Sequence, residues 1–338
     1  MPAAKTTIYD VADAAGVAIS TVSRVLNDSP EVSASTRARV RDAINRLNFQ
    51  PQRTARLLAS KDEPGLAVAM PSFTSLFYVE ILKGVKDVMR ERGDSDLLLC
   101  NLGSLEPEES LRRFLSRGAV GGLLLASLRP DADMRRNLQR MQAPVVLLGA
   151  EDDAFDSLWW DDAAGAELAT AHLLKLGHRR IGLITAQPWS QSAEPRLEGY
   201  RRALEASGVP YDPDLVVKGD THKHAGYSEE AGAEAMAKLW ALDPRPTAVF
   251  AASDVQAFGA WSFARDTGIR VPRDLSLVGY DNLKLSRFLD LTTVDQGMQT
   301  VGRRAAEHLV ARMAGEAPRL HESLDVQLVA RGSSAPPA

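Results

Sequence analysis

From Gly65 onward the chain alternates short apolar runs with amphipathic stretches of helical spacing. The runs read GLAVAM, DLLLCN, GGLLLA, PVVLLG, RRIGLIT, LVVKG, TAVFAA and SLVGYD. Helical patterns fall between them near 77–92, 107–117, 131–141, 164–176, 196–207, 228–242 and 256–267. Parallel strands need a crossover between them, and a helix is the usual one. Such sheets are covered on both faces, so their strands read as near-continuous apolar runs. The length suits two sheets of this kind, with a cleft at the carboxyl ends of their strands. The expected fold class is an α/β core of two parallel-sheet lobes behind an all-α head.

The head has a different texture. Thr7 is placed to cap a first helix, with Asp10 at the capping-box position. Val11, Ala12 and Ala15 give that helix an apolar stripe, and Gly16 closes it. A second helix is expected from Ile19 to Leu26, ended by Asn27, Asp28, Ser29 and Pro30. Ser33 can cap a third, in which Val40, Ala43, Ile44 and Leu47 share one face. Two helices joined by a short turn containing Gly make a helix-turn-helix. A plain helical hairpin has the same spacing, and charge favours the DNA-binding reading over it. Residues 1–61 hold 9 Lys/Arg against 5 Asp/Glu, whereas the whole chain has a net charge of −4. A basic head on an acidic body fits a nucleic-acid binder with a second module.

Between Pro51 and Pro64 lies a bridge with room for a short helix, too short to be stable alone in water. The expected organisation is a headpiece over 1–50, a hinge helix and linker over 51–63, and a two-lobed core over 64–333. Lobe 1 takes about 64–160 and 296–322, and lobe 2 about 161–292 and 323–333. A disordered tail is expected over 334–338. The single cysteine, Cys100, cannot form an internal disulfide, which fits a reducing cytoplasm. The N-terminus lacks an apolar signal core, and no run is long enough to span a bilayer.

These segments resemble the lactose/galactose repressor (LacI/GalR) family of bacterial transcription regulators. TIYDVADAAGVAISTVSRVLN resembles the family's headpiece, and VSASTRARVRDAINRLNFQPQRTARLLAS its third helix and hinge. AHLLKLGHRRIGLI, RLEGYRRAL, SDVQAFGA, SLVGYDN and LTTVDQ resemble successive signatures of its core. The resemblance covers nearly the whole chain. It implies a homodimer on a pseudo-palindromic operator of double-stranded DNA. It also implies a small, sugar-like effector between the lobes, whose binding alters headpiece spacing and so operator affinity. The core alone resembles periplasmic sugar-binding proteins too, but those need an export signal and lack a headpiece.

The resemblance carries roles to particular residues. Ile19 and Ser20 match the base-contacting pair at the start of the recognition helix. Ile19 offers apolar contact suited to a thymine methyl, unless it is a core residue; Ser20 donates or accepts. Arg24 lies one turn on and can grip guanine in bidentate fashion. Thr7, Asn27, Thr36 and Asn48 are candidates for backbone contact, with turn or helix capping as the plainer role, and Thr21 and Ser23 are candidates with back-bonding within the helix as theirs. Gln52, Ala55 and Leu58 fall in the hinge. Leu58 aligns with a leucine that the family wedges between base pairs, at an unstacking cost offset by extra contact. Residue 18 departs from the pattern: the family usually has a helix-capping Ser there, and this chain has Ala18.

In the cleft, Arg196 matches the arginine that commonly grips the effector, with a fork of donors suited to vicinal hydroxyls. Asp254 and Asp281 follow strand ends and can accept from ligand hydroxyls. The plainer readings are a salt bridge between Arg196 and Asp281 and a helix N-cap for Asp254. Phe77, Tyr78 and Trp189 are candidate aromatic walls, and Gln296 lies in a crossover that can reach the ligand. Trp159 and Trp160 are further aromatics near the cleft. His222 and His224 lack a third ligand in sequence reach, so no metal or cofactor is expected. No P-loop, nucleotide-binding glycine pattern or nucleophile elbow is present, so no catalytic residue is assigned and an enzyme is not expected.

Overall fold

The computed structural model describes residues 6–26, 29–47, 49, 65–93, 97–103, 106–116, 120–141 and 143–338. The chain divides into two compact units, Met1–Gly65 with Phe114–Gly121, and Leu66–Arg113 with Gly122–Ala338.

The first unit contains α1 (Ile8–Ala15), α2 (Ile19–Leu26) and α3 (Ala34–Arg46). The Thr7–Asp10 capping box is complete, with the Asp10 carboxylate accepting from the Thr7 amide at 2.7 Å. Gly16 takes φ of 62°, which lets α1 stop and the chain turn into α2 within two residues. Ser33 caps α3 by accepting from the Thr36 amide. Val11, Ala12, Ala15, Val22, Val25, Val40, Ala43 and Phe49 form one small core.

The second unit holds two six-stranded sheets. Sheet one has the order β11-β5-β4-β3-β1-β2 and sheet two the order β12-β10-β9-β8-β6-β7. Sheet one comprises β1 (Leu66–Met70), β2 (Leu97–Asn101), β3 (Gly122–Ala126), β4 (Val145–Leu148), β5 (Asp156–Trp160) and β11 (His321–Leu324). Sheet two comprises β6 (Ile181–Thr185), β7 (Val216–Lys218), β8 (Ala248–Ala251), β9 (Ser276–Asp281), β10 (Thr292–Asp295) and β12 (Gln327–Val329). Every pairing is parallel except β12 against β10.

Helices cover both sheets: α4 (Leu76–Glu91), α5 (Pro107–Leu115), α6 (Ala132–Gln139), α7 (Asp162–Lys175), α8 (Ala193–Ala206), α9 (Glu229–Trp240), α10 (Asp254–Asp266), α11 (Lys284–Phe288) and α12 (Met298–Met313). Strand order reverses between β1 and β3 in one sheet and between β6 and β8 in the other, which opens a crevice at the carboxyl ends of each. The chain passes between the sheets after β5, after β10 and between β11 and β12. Leu283 of the second lobe, with Val255 and Phe258, packs into the core of the first.

Two expectations are corrected. Helix α8 starts at Ala193 rather than Arg196, because Pro195 falls in its first turn, where no intrahelical N–H bond is needed. The tail over 334–338 is not loose. The Ser334 hydroxyl meets His172 Nε2 at 2.8 Å and the Thr292 hydroxyl at 2.9 Å. The Ala335 amide donates to the Ser276 hydroxyl, and its carbonyl accepts from that hydroxyl and faces His178 Nε2.

Candidate functional site

Ile19, Ser20 and Arg24 stand together on the exposed side of α2, opposite the buried Val22 and Val25. Ile19 is 40% exposed, so it is not a core residue. Thr21 and Ser23 are half-buried. The Arg24 Nε lies 3.6 Å from a Glu31 carboxylate oxygen in the turn that follows. At the N-terminus of α2 the Ala18 carbonyl accepts from the Thr21 and Val22 amides, while its methyl offers no side-chain acceptor. Thr7 and Thr36 are engaged locally: the Thr7 hydroxyl donates to Asp10, and the Thr36 hydroxyl accepts from Ser33. Asn27, Asn48, Gln52, Ala55 and Leu58 lie outside the described residues.

In the core, the strand ends bring a second group together. Arg196 projects from the first turn of α8 and is buried. Its Nε donates to the Asp162 carboxylate at 2.8 Å, and its Nη1 to the Ala252 carbonyl. Its guanidinium carbon sits 3.8 Å from the Tyr280 ring centre and 5.8 Å from that of Tyr227. Gly199, one turn on, lets α8 seat against α7: a Cβ there would fall on the Ala163 carbonyl. Arg196 is thereby carried to Asp162 at the start of α7. Burial opposes the guanidinium's charge, but Asp162, Tyr227, Tyr280 and Asp281 around it hold its pKa above the usual value.

Asp281 ends β9 with φ of 124°, and Asn282 follows at 52°. Positive φ is costly for both residues and is maintained by surrounding bonds. Asn282 donates to Asp295 at 3.0 Å and accepts from Arg331 at 2.6 Å. The Asp281 carboxylate accepts from Gln296 Nε2 at 2.7 Å. Burial pushes it well above the carboxylate range; Arg196 pulls the other way, and Asp254 and Asp162 add to the rise. Gln296 also accepts, through its carbonyl, from Trp160 Nε1 at 2.7 Å. Phe77 packs edge-on against Tyr78 and Trp160, with ring centres 5.1 and 5.8 Å away. Burial raises the Tyr78 phenol, which bonds to Ser127 at the end of β3 and faces Tyr227 and Asp281.

A chain of contacts thus links Phe77, Tyr78, Gln296, Asp281 and Arg196 between the two lobes. Asp254 lies beside Asp281, but its own carboxylate is taken up by protein donors. The Asp254 carboxylate is fully buried and accepts from the Leu283 amide at 2.8 Å and from the Ser286 and Thr293 hydroxyls at 2.5 Å. Gly279 leaves room for it, since a Cβ there would meet its Oδ1. Protein donors thus take the acceptor capacity that a ligand hydroxyl would need. Nor does Asp254 cap α10; Ser253 does, accepting from the Gln256 amide at 3.1 Å. The Arg196 partner is Asp162, not Asp281. Trp159 packs on His321, away from this group, at 4.7 Å.

Trp189 stands further out, 55% exposed, with its ring centre 5.2 Å from that of His222. Asp162, Tyr227, Tyr280 and Ser127 were not singled out from the sequence. The signal for Asp162 was an acid at the start of a helix following a strand. Tyr227 carried none. Among the described residues no group of three His, Cys, Asp or Glu could hold a metal ion. No helix among them is long and apolar enough to cross a membrane.

A helix-turn-helix unit and a doubly wound two-sheet core in one chain define a class of bacterial DNA-binding transcriptional regulators. Residues 7–52 match the model of bacterial regulatory proteins of the lacI family, and residues 170–334 that of the periplasmic binding protein-like domain. The HTH-type transcriptional repressor PurR of Aliivibrio salmonicida (strain LFI1238) is 31% identical, over 91% of this chain and 92% of that protein. A transcriptional regulator CelR–cellobiose complex is 33% identical with a TM-score of 0.70, covering 98% of this chain and 100% of that one. The lac repressor dimer bound to operator and the anti-inducer ONPF is 28% identical with a TM-score of 0.72, at the same coverage. The chain belongs to the lacI family and is a DNA-binding transcriptional regulator of that family.

Proposed function

We propose that this regulator is a cytoplasmic homodimeric repressor. Its operator affinity is set by an uncharged, sugar-like effector held between the lobes of the core. The headpiece (1–50) reads one operator half-site through Ile19, Ser20 and Arg24 in the major groove. Thr21, Ser23, Asn27, Thr36 and Asn48 set its register on the phosphates. The hinge (51–63), with Gln52, Ala55 and Leu58, contacts the operator centre. Arg196, Asp281 and Gln296 meet the effector's hydroxyls, and Phe77, Tyr78 and Trp189 its ring faces. No step of chemistry is assigned, in keeping with relatives that are regulators rather than enzymes.

The observation that carries this reading is the buried Arg196–Asp162 pair, opened toward Asp281 and Gln296 between two lobes. Three of the guanidinium's five N–H donors have protein acceptors, which leaves donors for a ligand. The cellobiose-bound relative supports a saccharide in that space. The test is fluorescence anisotropy of an operator, selected from random duplexes by this protein, titrated with a saccharide library. At least one sugar should shift operator affinity severalfold, and Asp281→Asn should weaken that shift. A library without effect on operator binding would refute the effector assignment.

A further inference from the structure

A lane of side chains leads from Arg196 out of the core. The Tyr227 ring lies 5.8 Å from the guanidinium carbon. Its hydroxyl meets the Ser192 hydroxyl at 2.6 Å and accepts from Ser190 at 3.4 Å. These two serines flank the start of α8, and Trp189 is the residue before them. Ser192 caps nothing, because its hydroxyl is turned to Tyr227. Beyond Tyr227 the chain runs back through residues 222–226, where His224 and Ala225 hold positive φ of 50° and 55°. That bend brings His222 edge-to-face with Trp189. The bend is tied down: the Gln187 amide donates to the Ala225 carbonyl at 2.9 Å, and the Thr221 hydroxyl to Glu234 at 2.9 Å. A large aromatic ring is thus held, largely exposed, at the outer end of a lane whose inner end is the Arg196 pair.

Charge along the lane is balanced. Arg196 is neutralised by Asp162 at 2.8 Å, with Asp281 beside it. At the outer end Lys223 pairs with Glu230 at 3.0 Å and Lys238 with Asp220 at 2.8 Å. Lys218 bonds to Gln187 and stands by the same Asp220, and Glu234 accepts from the Asp220 and Thr221 amides. A phosphate or carboxylate on the ligand would have to be desolvated beside these acids without a cation of its own, which is costly.

We propose that Trp189, positioned by His222, forms an outer subsite for a second sugar ring, so that the effector is an uncharged oligosaccharide rather than a monosaccharide or a sugar phosphate. This rests on the interlobe space being the effector site. Aromatic faces suit the apolar faces of pyranose rings, and Ser190, Ser192 and Tyr227 supply hydroxyls beside the linkage.

The experiment is calorimetric titration of the full chain with matched pairs: glucose and cellobiose, glucose and maltose, galactose and lactose, xylose and xylobiose. Glucose 6-phosphate and adenosine are included. For at least one pair the disaccharide should bind at least tenfold tighter than its monosaccharide, a difference of about 1.4 kcal/mol. Trp189→Ala should cut that ratio below threefold, and Trp189→Phe should restore most of it. A monosaccharide, glucose 6-phosphate or adenosine as tightest ligand overturns the proposal, as does a ratio unchanged in Trp189→Ala, or no binding by any saccharide. Failure of the underlying site reading looks different: a ligand binds, but Asp281→Asn, with unchanged melting temperature, does not alter its affinity.

Discussion

Arg24 rests against Glu31, and the proposed contact with a base would have to take it away. Both side chains are largely exposed, 57% for Arg24 and 69% for Glu31, and the separation is 3.6 Å. A pair so placed contributes ~0–1 kcal/mol. Glu31→Gln therefore releases Arg24 at little cost to the fold, and operator affinity should rise about twofold, with about fivefold as the ceiling. Arg24→Ala should lose the bidentate base contact, ~1–3 kcal/mol, or about 5- to 150-fold in affinity. The two effects are coupled. With Arg24 absent, Glu31→Gln should bring no gain beyond a small, salt-screened improvement from one fewer negative charge near phosphate. The assay is a double-mutant cycle by fluorescence anisotropy on the selected operator at two salt concentrations. Two findings would refute the reasoning. One is an Arg24→Ala loss below twofold, which takes Arg24 out of the base contacts. The other is full additivity of the two changes, which means that the pair does not compete with DNA.

Ala18→Ser should supply the acceptor missing at the start of α2 and stabilise the headpiece by ~1 kcal/mol, seen as a later headpiece transition in thermal unfolding. An unchanged transition would mean that the Ser20 and Thr21 amides gain nothing from a side-chain acceptor at residue 18. Leu58→Ala should leave the melting curve unchanged and weaken operator binding in a gel shift; unchanged affinity would remove the central wedge. Burial lifts Asp254 from 3.8 to about 6. Its raised value makes a stabilising contribution that is complete below about pH 4 and lost as pH rises through about 6. Denaturant unfolding of Asp254→Asn, which cannot titrate, should therefore shift in the variant's favour relative to the parent between pH 4 and 7. A gap constant with pH would show that Asp254 does not titrate in that window.

What could be read without coordinates was what short-range chemistry decides. The Thr7–Asp10 box, Gly16 and the Val22/Val25 face lie within a few residues of one another, so the helix-turn-helix and its exposed tip were legible. The parallel sheets were legible because β1, β3, β4 and β8 are buried and apolar at every position. The partners of the cleft residues were not. Arg196 and Asp162 are 34 residues apart, and either of two nearby acids could have taken the role. Asp254 looks like a cleft carboxylate because it follows a strand. The donors that claim it, on Ser286 and Thr293, come from 32 and 39 residues downstream. Helix α12 was also missed, although Val301, Ala305 and Leu309 carry a helical stripe, because its small residues dilute the apolar signal. The prolines and small residues of the tail suggest a loose end and do not reveal that His172, Thr292 and Ser276 bind it.

On the proposed function, the effector site between the lobes and the headpiece are energetically coupled. Linkage makes this testable in a form that does not depend on which sugar is found. The measurement is the affinity of the most active saccharide for the full chain, by calorimetry, with and without saturating operator duplex. If that saccharide changes operator affinity by some factor, operator must change saccharide affinity by the same factor and in the same sense. Saccharide affinity should differ severalfold between the two conditions, and the difference should shrink in Asp281→Asn. A saccharide affinity that is the same with and without operator would contradict the coupling.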